Sequence, residues 1–152
     1  MTAVPDIMLN NGNTIPQFGF GVFLVKPKDT IEAVTTALQA GYRHIDTAEG
    51  YGNEREVGQA VAKSGLDRGD VYITSKLDND SHLPDDARRA FDATLEAIGS
   101  DYIDLFLIHW PVPTRYDGDY VSTWRTLEEF YRDGRARWLM RHAINQCGGS
   151  HP

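Results

Sequence analysis

The sequence is poor in the features that mark disulfide-rich, membrane-spanning and nucleic-acid-binding proteins. It contains one cysteine, Cys147, which excludes an internal disulfide framework. No apolar run approaches the length needed to span a bilayer. The 15 Lys and Arg residues are outnumbered by 22 Asp and Glu residues, for a formal net charge of −7. This acidic balance argues against a nucleic-acid-binding face or a basic membrane-surface patch, so we expect neither partner.

Two further absences concern location and cofactor. Residues 1–6 lack a basic start followed by an apolar stretch, so we expect no secretory signal peptide. A single cysteine is compatible with a reducing compartment, and we expect a cytoplasmic protein. The phosphate-binding loops G-x-G-x-x-G and G-x-x-x-x-G-K-[ST], which serve many open nucleotide-binding sheets, are also missing.

A regular alternation of strand-like and helix-like segments is present instead. An Asn-Gly turn between apolar pairs predicts a hairpin over residues 7–15. Helical spacing of apolar residues predicts four helices, two of them opened by the cap pairs Asp29–Glu32 and Asn53–Glu56. Strands are predicted within residues 18–21, 42–46, 71–76 and 102–109. The alternation indicates a parallel sheet, either an open doubly wound sheet or half of a (β/α)8 barrel.

Polar residues stand where three of these strands end. Asp46, Lys76 and His109 close the second, third and fourth strands, and Tyr51 lies in the loop after the second. Each has an ordinary explanation alone: a capping carboxylate, a solvated lysine, a structural histidine and a packed aromatic ring. Ligands of parallel α/β folds bind at the carboxyl ends of the strands, so the four together predict one site.

Such a set of side chains suits proton donation to a carbonyl oxygen. A tyrosine hydroxyl ordinarily has a pKa of about 10 and is a poor acid at neutral pH. A neighbouring ammonium group favours the phenolate, and a buried ammonium group needs a carboxylate as counter-charge. A neutral histidine can donate a hydrogen bond to the carbonyl oxygen. No side chain supplies a hydride, for which a nicotinamide cofactor is the ordinary source.

Three long segments resemble the aldo-keto reductase family. Residues 41–58 (GYRHIDTAEGYGNEREVG) resemble the family signature with its aspartate and tyrosine. Residues 73–77 (ITSKL) and 101–111 (DYIDLFLIHWP) resemble the segments with the family's lysine and histidine. The resemblance covers roughly residues 7–137, and the subfamily looks like the bacterial reductases resembling 2,5-diketo-D-gluconate reductase.

The resemblance implies an α/β fold, the N-terminal half of a (β/α)8 barrel with a leading β-hairpin and about four β/α units. It implies NADPH as cofactor, no metal, and an aldehyde or ketone reduced to an alcohol. It implies Tyr51 as the acid, Lys76 and Asp46 as its tuning pair, and His109 as the group that orients the carbonyl. The implied cofactor-binding residues are Gly21, Val22, Asp46 and His109. The implied substrate-binding residues are Phe23, Tyr51, His109 and Trp110.

The sequence departs from the family pattern at two places. Asp78 stands where relatives commonly carry a pocket-lining tryptophan, so anionic substrates are expected to be disfavoured. Residues 1–137 read as a partial barrel, whereas residues 138–152 do not match, as expected for a frameshifted or disordered tail, a truncation or a genuine variant. A short strand at residues 138–140 is the alternative there.

Three functions therefore stay open. The first is a reductase half that is impaired or inactive alone, because the second half of the barrel holds most of the cofactor in the family. The second is a non-catalytic half-barrel that self-associates through its open edges or binds a partner. The third, an unrelated open-sheet nucleotide-binding module, is disfavoured by the missing glycine loop.

Overall fold

The structure is a computed structural model, and it describes residues 5–9 and 12–141. Its strands and helices alternate after an N-terminal hairpin, as the sequence predicts. They are β1 (Asp6–Met8), β2 (Thr14–Pro16), β3 (Phe20–Gly21), α1 (Pro27–Gln39), β4 (His44–Asp46), α2 (Glu54–Lys63), β5 (Tyr72–Leu77), α3 (Pro84–Ile98), β6 (Leu105–Ile108), α4 (Tyr120–Arg132) and β7 (Leu139–Arg141).

The predicted hairpin is confirmed. Strands β1 and β2 pair antiparallel with Ile7 opposite Ile15. The turn between them is closed by a hydrogen bond from the Leu9 amide to the Asn13 carbonyl. Gly12 in this turn has a φ of 89°, a conformation that glycine adopts without the steric cost paid by other residues.

The remaining five strands form one parallel sheet whose order, β3-β4-β5-β6-β7, follows the sequence without reversal. Right-handed crossovers that always step in one direction place every helix on the same face of a sheet. The helices accordingly pack in chain order, α1 against α2, α2 against α3, and α3 against α4. An open doubly wound sheet reverses its strand order and carries helices on both faces. The topology is therefore that of part of a barrel.

The helix starts only partly follow the predicted caps. Helix α1 begins at Pro27, where the fixed φ and missing N–H of proline suit a first turn. Asp29 therefore lies inside the helix, and its predicted capping box with Glu32 is wrong. Helix α2 does begin after Asn53, but the Asn53 side chain makes no hydrogen bond to the helix.

The hydrophobic core lies between the sheet and the helices. Three phenylalanines from α3, β6 and α4 dominate it: the Phe91 ring stacks on Phe130 at 4.2 Å and meets Phe106 at 4.7 Å. All three are fully buried, and aromatic pairs of this kind stabilise beyond their buried area. This cluster fixes the position of β6, which ends one residue before His109.

The face of the sheet opposite to the helices is polar on β4 and β5. On β4 and β5 it carries His44, Asp46, Tyr72, Thr74 and Lys76, which are aligned by the register of the two strands. On β6 the two leucines that continue this face, at positions 105 and 107, are only 8% and 5% exposed. Among the described strands, the exposed apolar residue on this face is Met140 of β7, which lies opposite Leu107 and is 50% exposed.

Of the two expectations for residues 138–140, the structure has the alternative, a short strand, which runs one residue later than expected, over Leu139–Arg141. Strand β7 pairs parallel with β6, and Leu107 lies opposite Met140. The rest of the predicted tail, residues 142–152, lies outside the described residues. Within 5–9 and 12–141, no helix combines the length and apolar character that a bilayer crossing requires.

Candidate active site

The four candidate residues converge at one edge of the sheet. Asp46 is the last residue of β4, Lys76 lies one residue before the end of β5, and His109 directly follows β6. The parallel register sets Asp46 opposite Thr74 and Lys76 opposite Leu107. The three polar side chains therefore leave neighbouring strands at their carboxyl ends, where parallel α/β folds bind ligands.

The centre of the site is the ammonium group of Lys76. Its Nζ lies 2.6 Å from Asp46 Oδ1, donates to the Thr47 carbonyl at 2.9 Å, and lies 3.4 Å from the Tyr51 hydroxyl. Lys76 is 5% exposed, whereas the Asp46 side chain is 35% exposed. A buried ammonium group requires such a partner. The expected ion pair and its contact with Tyr51 are both present.

Tyr51 is presented by a short 3₁₀ turn, Glu49–Tyr51, between β4 and α2. Its ring centroid lies 5.7 Å from that of His109 and 5.0 Å from that of Phe23. The Lys76 Nζ also lies 4.9 Å from the centroid of the Tyr51 ring. The structure thus brings the four predicted catalytic residues together, with Phe23 beside them.

The remaining substrate-site candidates lie at the rim. The Phe23 side chain is exposed next to Tyr51. Trp110 is half-buried, and its ring lies 6.4 Å from His109 in a stacked orientation. Small-molecule sites are lined mostly by apolar and aromatic side chains with a few polar groups among them.

The end of β3 borders open space. Gly21 lies opposite Asp46, and a Cβ added to it would meet no heavy atom within 4 Å. Val22 is different, because it is buried and its main-chain groups are already bonded. Its N–H donates to the Asp46 carbonyl at 3.0 Å, and its carbonyl accepts from Asn53 Nδ2 and from the Val25 amide. Of the two predicted cofactor contacts at the end of β3, Gly21 on the strand and Val22 after it, Gly21 is the open one.

Asp78, the position that departs from the family pattern, lies beside the Tyr51 turn. Its carboxylate contacts Gly50 so closely that a Cβ at Gly50 would overlap Asp78 Oδ2. The Asp78 amide donates to the Glu49 carboxylate at 2.8 Å. Two acidic side chains, Glu49 within the turn that carries Tyr51 and Asp78 against it, therefore lie close together.

A buried histidine connects the loop after β5 with the loop after β6. His82 precedes α3, is almost fully buried, and stacks on Tyr116 with ring centroids 5.3 Å apart. Burial lowers the pKa of His82, helped by the charge of Arg115. Burial also lowers the pKa of His44, whose Nε2 shares a 2.8 Å hydrogen bond with Thr74 Oγ1.

These two histidines predict a loss of stability in weak acid. The unfolded chain binds protons at these positions near pH 6.5, whereas the folded chain binds them only at lower pH. Their contribution to stability is therefore complete above about pH 6.5 and is lost as the pH falls through the folded pKa values. Urea unfolding between pH 8 and pH 5 should show this fall, and His82→Phe should flatten it. If the unfolding free energy falls equally with pH in His82→Phe and in the unchanged chain, the assignment to His82 is contradicted.

Sequence reasoning missed the role of Asn53 and Thr47. Thr47 Oγ1 donates to Asn53 Oδ1 at 2.8 Å, and both residues are fully buried. The position of Asn53 before a helix predicted a cap, and no local pattern signals the long-range partners that its side chain has instead.

The chain is similar to one protein family over most of its length. The matching family model is that of the Aldo/keto reductase family, and it covers residues 18–139. This match continues slightly beyond residue 137, where the resemblance seen in the sequence ends. An aldo-keto reductase of Mycobacterium sp. strain JLS is 50% identical over 133 residues, which are 88% of this chain and 48% of the relative.

Solved structures give the same result. The crystal structure of an aldo/keto reductase from Brucella melitensis matches with a TM-score of 0.86 and 43% identity, over 91% of this chain and 53% of that chain. The aldo-keto reductase of Bombyx mori, solved in complex with NADP, matches with a TM-score of 0.82 and 38% identity, over 93% of this chain and 51% of that chain. The chain spans about half the length of the relatives it matches, and its fold is half of a (β/α)8 barrel.

Proposed function

Because the chain belongs to the aldo-keto reductase family, we propose that it carries the proton-donating half of a site that reduces aldehydes or ketones to alcohols with NADPH. The observation that carries this proposal is the Lys76 ammonium group, held at 2.6 Å by Asp46 and standing 3.4 Å from the Tyr51 hydroxyl. A lysine that merely ends a strand extends into water, whereas this lysine is buried and points at a tyrosine hydroxyl.

The Tyr51 hydroxyl donates its proton to the carbonyl oxygen of the substrate as negative charge develops there. The Lys76 ammonium group stabilises the phenolate that this transfer leaves behind. Asp46 pairs with that buried ammonium group and holds it in place. His109 donates a hydrogen bond to the same oxygen and so orients the carbonyl toward Tyr51.

A nicotinamide cofactor supplies the hydride when it is bound. Gly21, Val22, Asp46 and His109 are the residues of this chain proposed to hold its nicotinamide end. The open surface over Gly21 and its position opposite Asp46 fit a flat ring there, with Val22 supporting the strand from its buried position. NADP in the Bombyx mori relative supports NADPH as the cofactor. A cytoplasmic location belongs to the same proposal and fits the single cysteine.

The substrate is proposed to be a small carbonyl compound without negative charge. Phe23, Tyr51, His109 and Trp110 would contact it, with apolar rings around the polar centre. Asp78, against the Tyr51 turn, and Glu49, its first residue, would repel a carboxylate on the substrate.

Replacing Asp78 with asparagine should therefore raise the relative rate with an aldehyde that bears a carboxylate. Two like charges a few ångströms apart near a protein surface repel each other by on the order of 1 kcal/mol. We therefore expect the rate with the carboxylate-bearing aldehyde, relative to the rate with a neutral aldehyde, to rise about three- to tenfold. Asp29→Asn, an exposed change at the start of α1, is the matched control. An unchanged ratio for Asp78→Asn would show that this carboxylate does not face the substrate.

The chain by itself is proposed to be nearly inactive, because it spans about half of its relatives. Misplacing reacting atoms by about 1 Å can cost about 100-fold in rate. The test is NADPH oxidation with a generic aldehyde, for the chain alone and after mixing with the separately expressed C-terminal half of the Mycobacterium relative. Turnover should be undetectable for the chain alone and appear in the mixture. Robust turnover by the chain alone would refute the proposed impairment.

A self-associating half-barrel without activity is the second candidate. Strands β3 and β7 are the edges of the sheet among the described residues, and such edges can pair with other chains. Two copies would bring ten strands to a barrel that has eight, so a dimer would not simply close the family barrel. Sedimentation as a stable dimer, with no turnover in the mixture, would favour this candidate.

A further inference from the structure

Asn53 is a buried side chain whose hydrogen bonds all lead toward the site. It is fully buried, and although it precedes α2, its side chain makes no hydrogen bond to the amides of that helix. Its Nδ2 donates to the carbonyls of Val22 and Val25, both at 3.0 Å. Its Oδ1 accepts from Thr47 Oγ1 at 2.8 Å.

These three bonds fix the orientation of the carboxamide. Main-chain carbonyls only accept hydrogen bonds, so the NH₂ group must face Val22 and Val25, and the oxygen must face Thr47. The carboxamide thus ties the turn after β3 to the segment between β4 and α2. Helix capping, the ordinary role of an asparagine at this position, does not explain any of the three bonds.

Both segments tied by Asn53 carry parts of the site. The turn at residues 22–25 presents Phe23, whose ring lies 5.0 Å from Tyr51. It includes Leu24 at a φ of 62°, a conformation that a branched side chain adopts only when its surroundings hold it there. The other segment begins at Thr47, whose carbonyl accepts a 2.9 Å hydrogen bond from Lys76 Nζ, and it contains Tyr51.

We infer that Asn53 is a positioning residue, which holds the Phe23 turn and the Tyr51 turn against each other and so keeps Tyr51 in reach of Lys76. The purpose of this role rests on the proposed function. The hydrogen-bond network itself is a property of the folded chain. Loss of the carboxamide donor frees both turns together. Helix α2 keeps its first main-chain hydrogen bond, which the Val57 amide donates to the Asn53 carbonyl.

The test is amide hydrogen exchange on the full chain and on its Asn53→Asp variant, which keeps the shape of the side chain and loses the NH₂ donor. The Val25 amide, bonded to the Val22 carbonyl, reports on the first turn, and the Tyr51 amide, bonded to the Ala48 carbonyl, reports on the second. Both should exchange at least tenfold faster in the variant. The Val57 and Phe106 amides, in α2 and the sheet, should be unchanged.

A second pair of variants covers the case in which Asn53→Asp does not fold. Thr47→Val removes the hydroxyl that bonds Asn53, whereas Thr47→Ser keeps it. Exchange at Val25 and Tyr51 should then be faster in Thr47→Val than in Thr47→Ser. Faster exchange confined to Val57 would assign Asn53 to helix capping and overturn the inference, as would no change at Val25 and Tyr51.

Exchange does not depend on turnover, so it separates this inference from the proposed function. If Tyr51 does not donate the proton, the exchange result stands and only the purpose of the network changes. If exchange at the two turns is unaffected, the positioning role fails even when the reductase activity is real.

Discussion

Replacing Lys76 with methionine should reduce the turnover of the mixed barrel (this chain mixed with the C-terminal half of the Mycobacterium relative) by about 100-fold or more. The fold should stay intact. A positioned proton donor contributes roughly 100- to 10,000-fold to a rate, and Tyr51 loses the charge that stabilises its phenolate. Methionine matches the length of the lysine stem and suits a site that is 5% exposed. Turnover is measured as NADPH oxidation with a neutral aldehyde, after mixing with the C-terminal half of the relative.

The variant should stay folded because Asp46 is accessible to water, with 35% of its side chain exposed. Removing a buried charge also removes its desolvation cost, whereas removing its partner would leave the charge unpaired. Lys63→Met, at the exposed end of α2, is the control and should leave the rate unchanged. Equal rates for Lys76→Met and Lys63→Met would exclude the ammonium group from the reaction.

Replacing Asp104 with alanine should cost about 1–3 kcal/mol of unfolding free energy, because it leaves the buried Ile73 amide without its hydrogen-bond acceptor. Asp104 precedes β6, and its carboxylate accepts from Arg68 at 2.8 Å, from Arg137 at 3.3 Å and from the Ile73 amide at 3.0 Å. Its side chain is 6% exposed. It therefore joins β5 and β6 at the end of the sheet opposite to the site.

The control for Asp104 is an ion pair of similar geometry at the surface. Asp92 lies 2.8 Å from Arg135, but its side chain is 66% exposed. Exposed pairs of this kind contribute about 1 kcal/mol or less, so Asp92→Ala should be nearly neutral. Urea unfolding of both variants gives the comparison. Equal losses would show that the buried network does not stabilise the sheet.

The parts of the fold that short-range patterns determine were predictable from the sequence. The Asn-Gly turn specifies its hairpin because its glycine takes a positive φ. The apolar run of β6 specifies a strand covered on both faces, and all four of its residues are buried. Pro84 and Gly99 mark the two ends of α3 because of their own backbone preferences, proline for a first helical turn and glycine for the position after the last one.

The parts that depend on distant partners were not predictable. Asp29 has the spacing of a capping box, but Pro27 starts α1 earlier and leaves Asp29 inside the first turn. Asn53 has the position of a cap, and yet its side chain is used by carbonyls about thirty residues away in sequence. Strand periodicity also left barrel and open sheet undecided, because only the unreversed order of the strands distinguishes them.

The candidate site was predictable in its membership because strand ends of a parallel sheet meet at one edge. Asp46, Lys76 and His109 are related by that rule alone, and the ion pair between the first two follows from it. The distances to Tyr51 were not predictable, because they depend on the 3₁₀ turn and on the bonds that hold it.

The most direct test of the central claim, that Tyr51 donates the proton, is NADPH oxidation with a neutral aldehyde by the mixed barrel and by its Tyr51→Phe variant. Phenylalanine keeps the ring that packs against Phe23 and His109 and removes only the hydroxyl near Lys76. We expect turnover in the mixture to fall by about 100-fold or more in the variant, with NADPH binding to the mixture unchanged. Turnover that persists undiminished in Tyr51→Phe would contradict the claim.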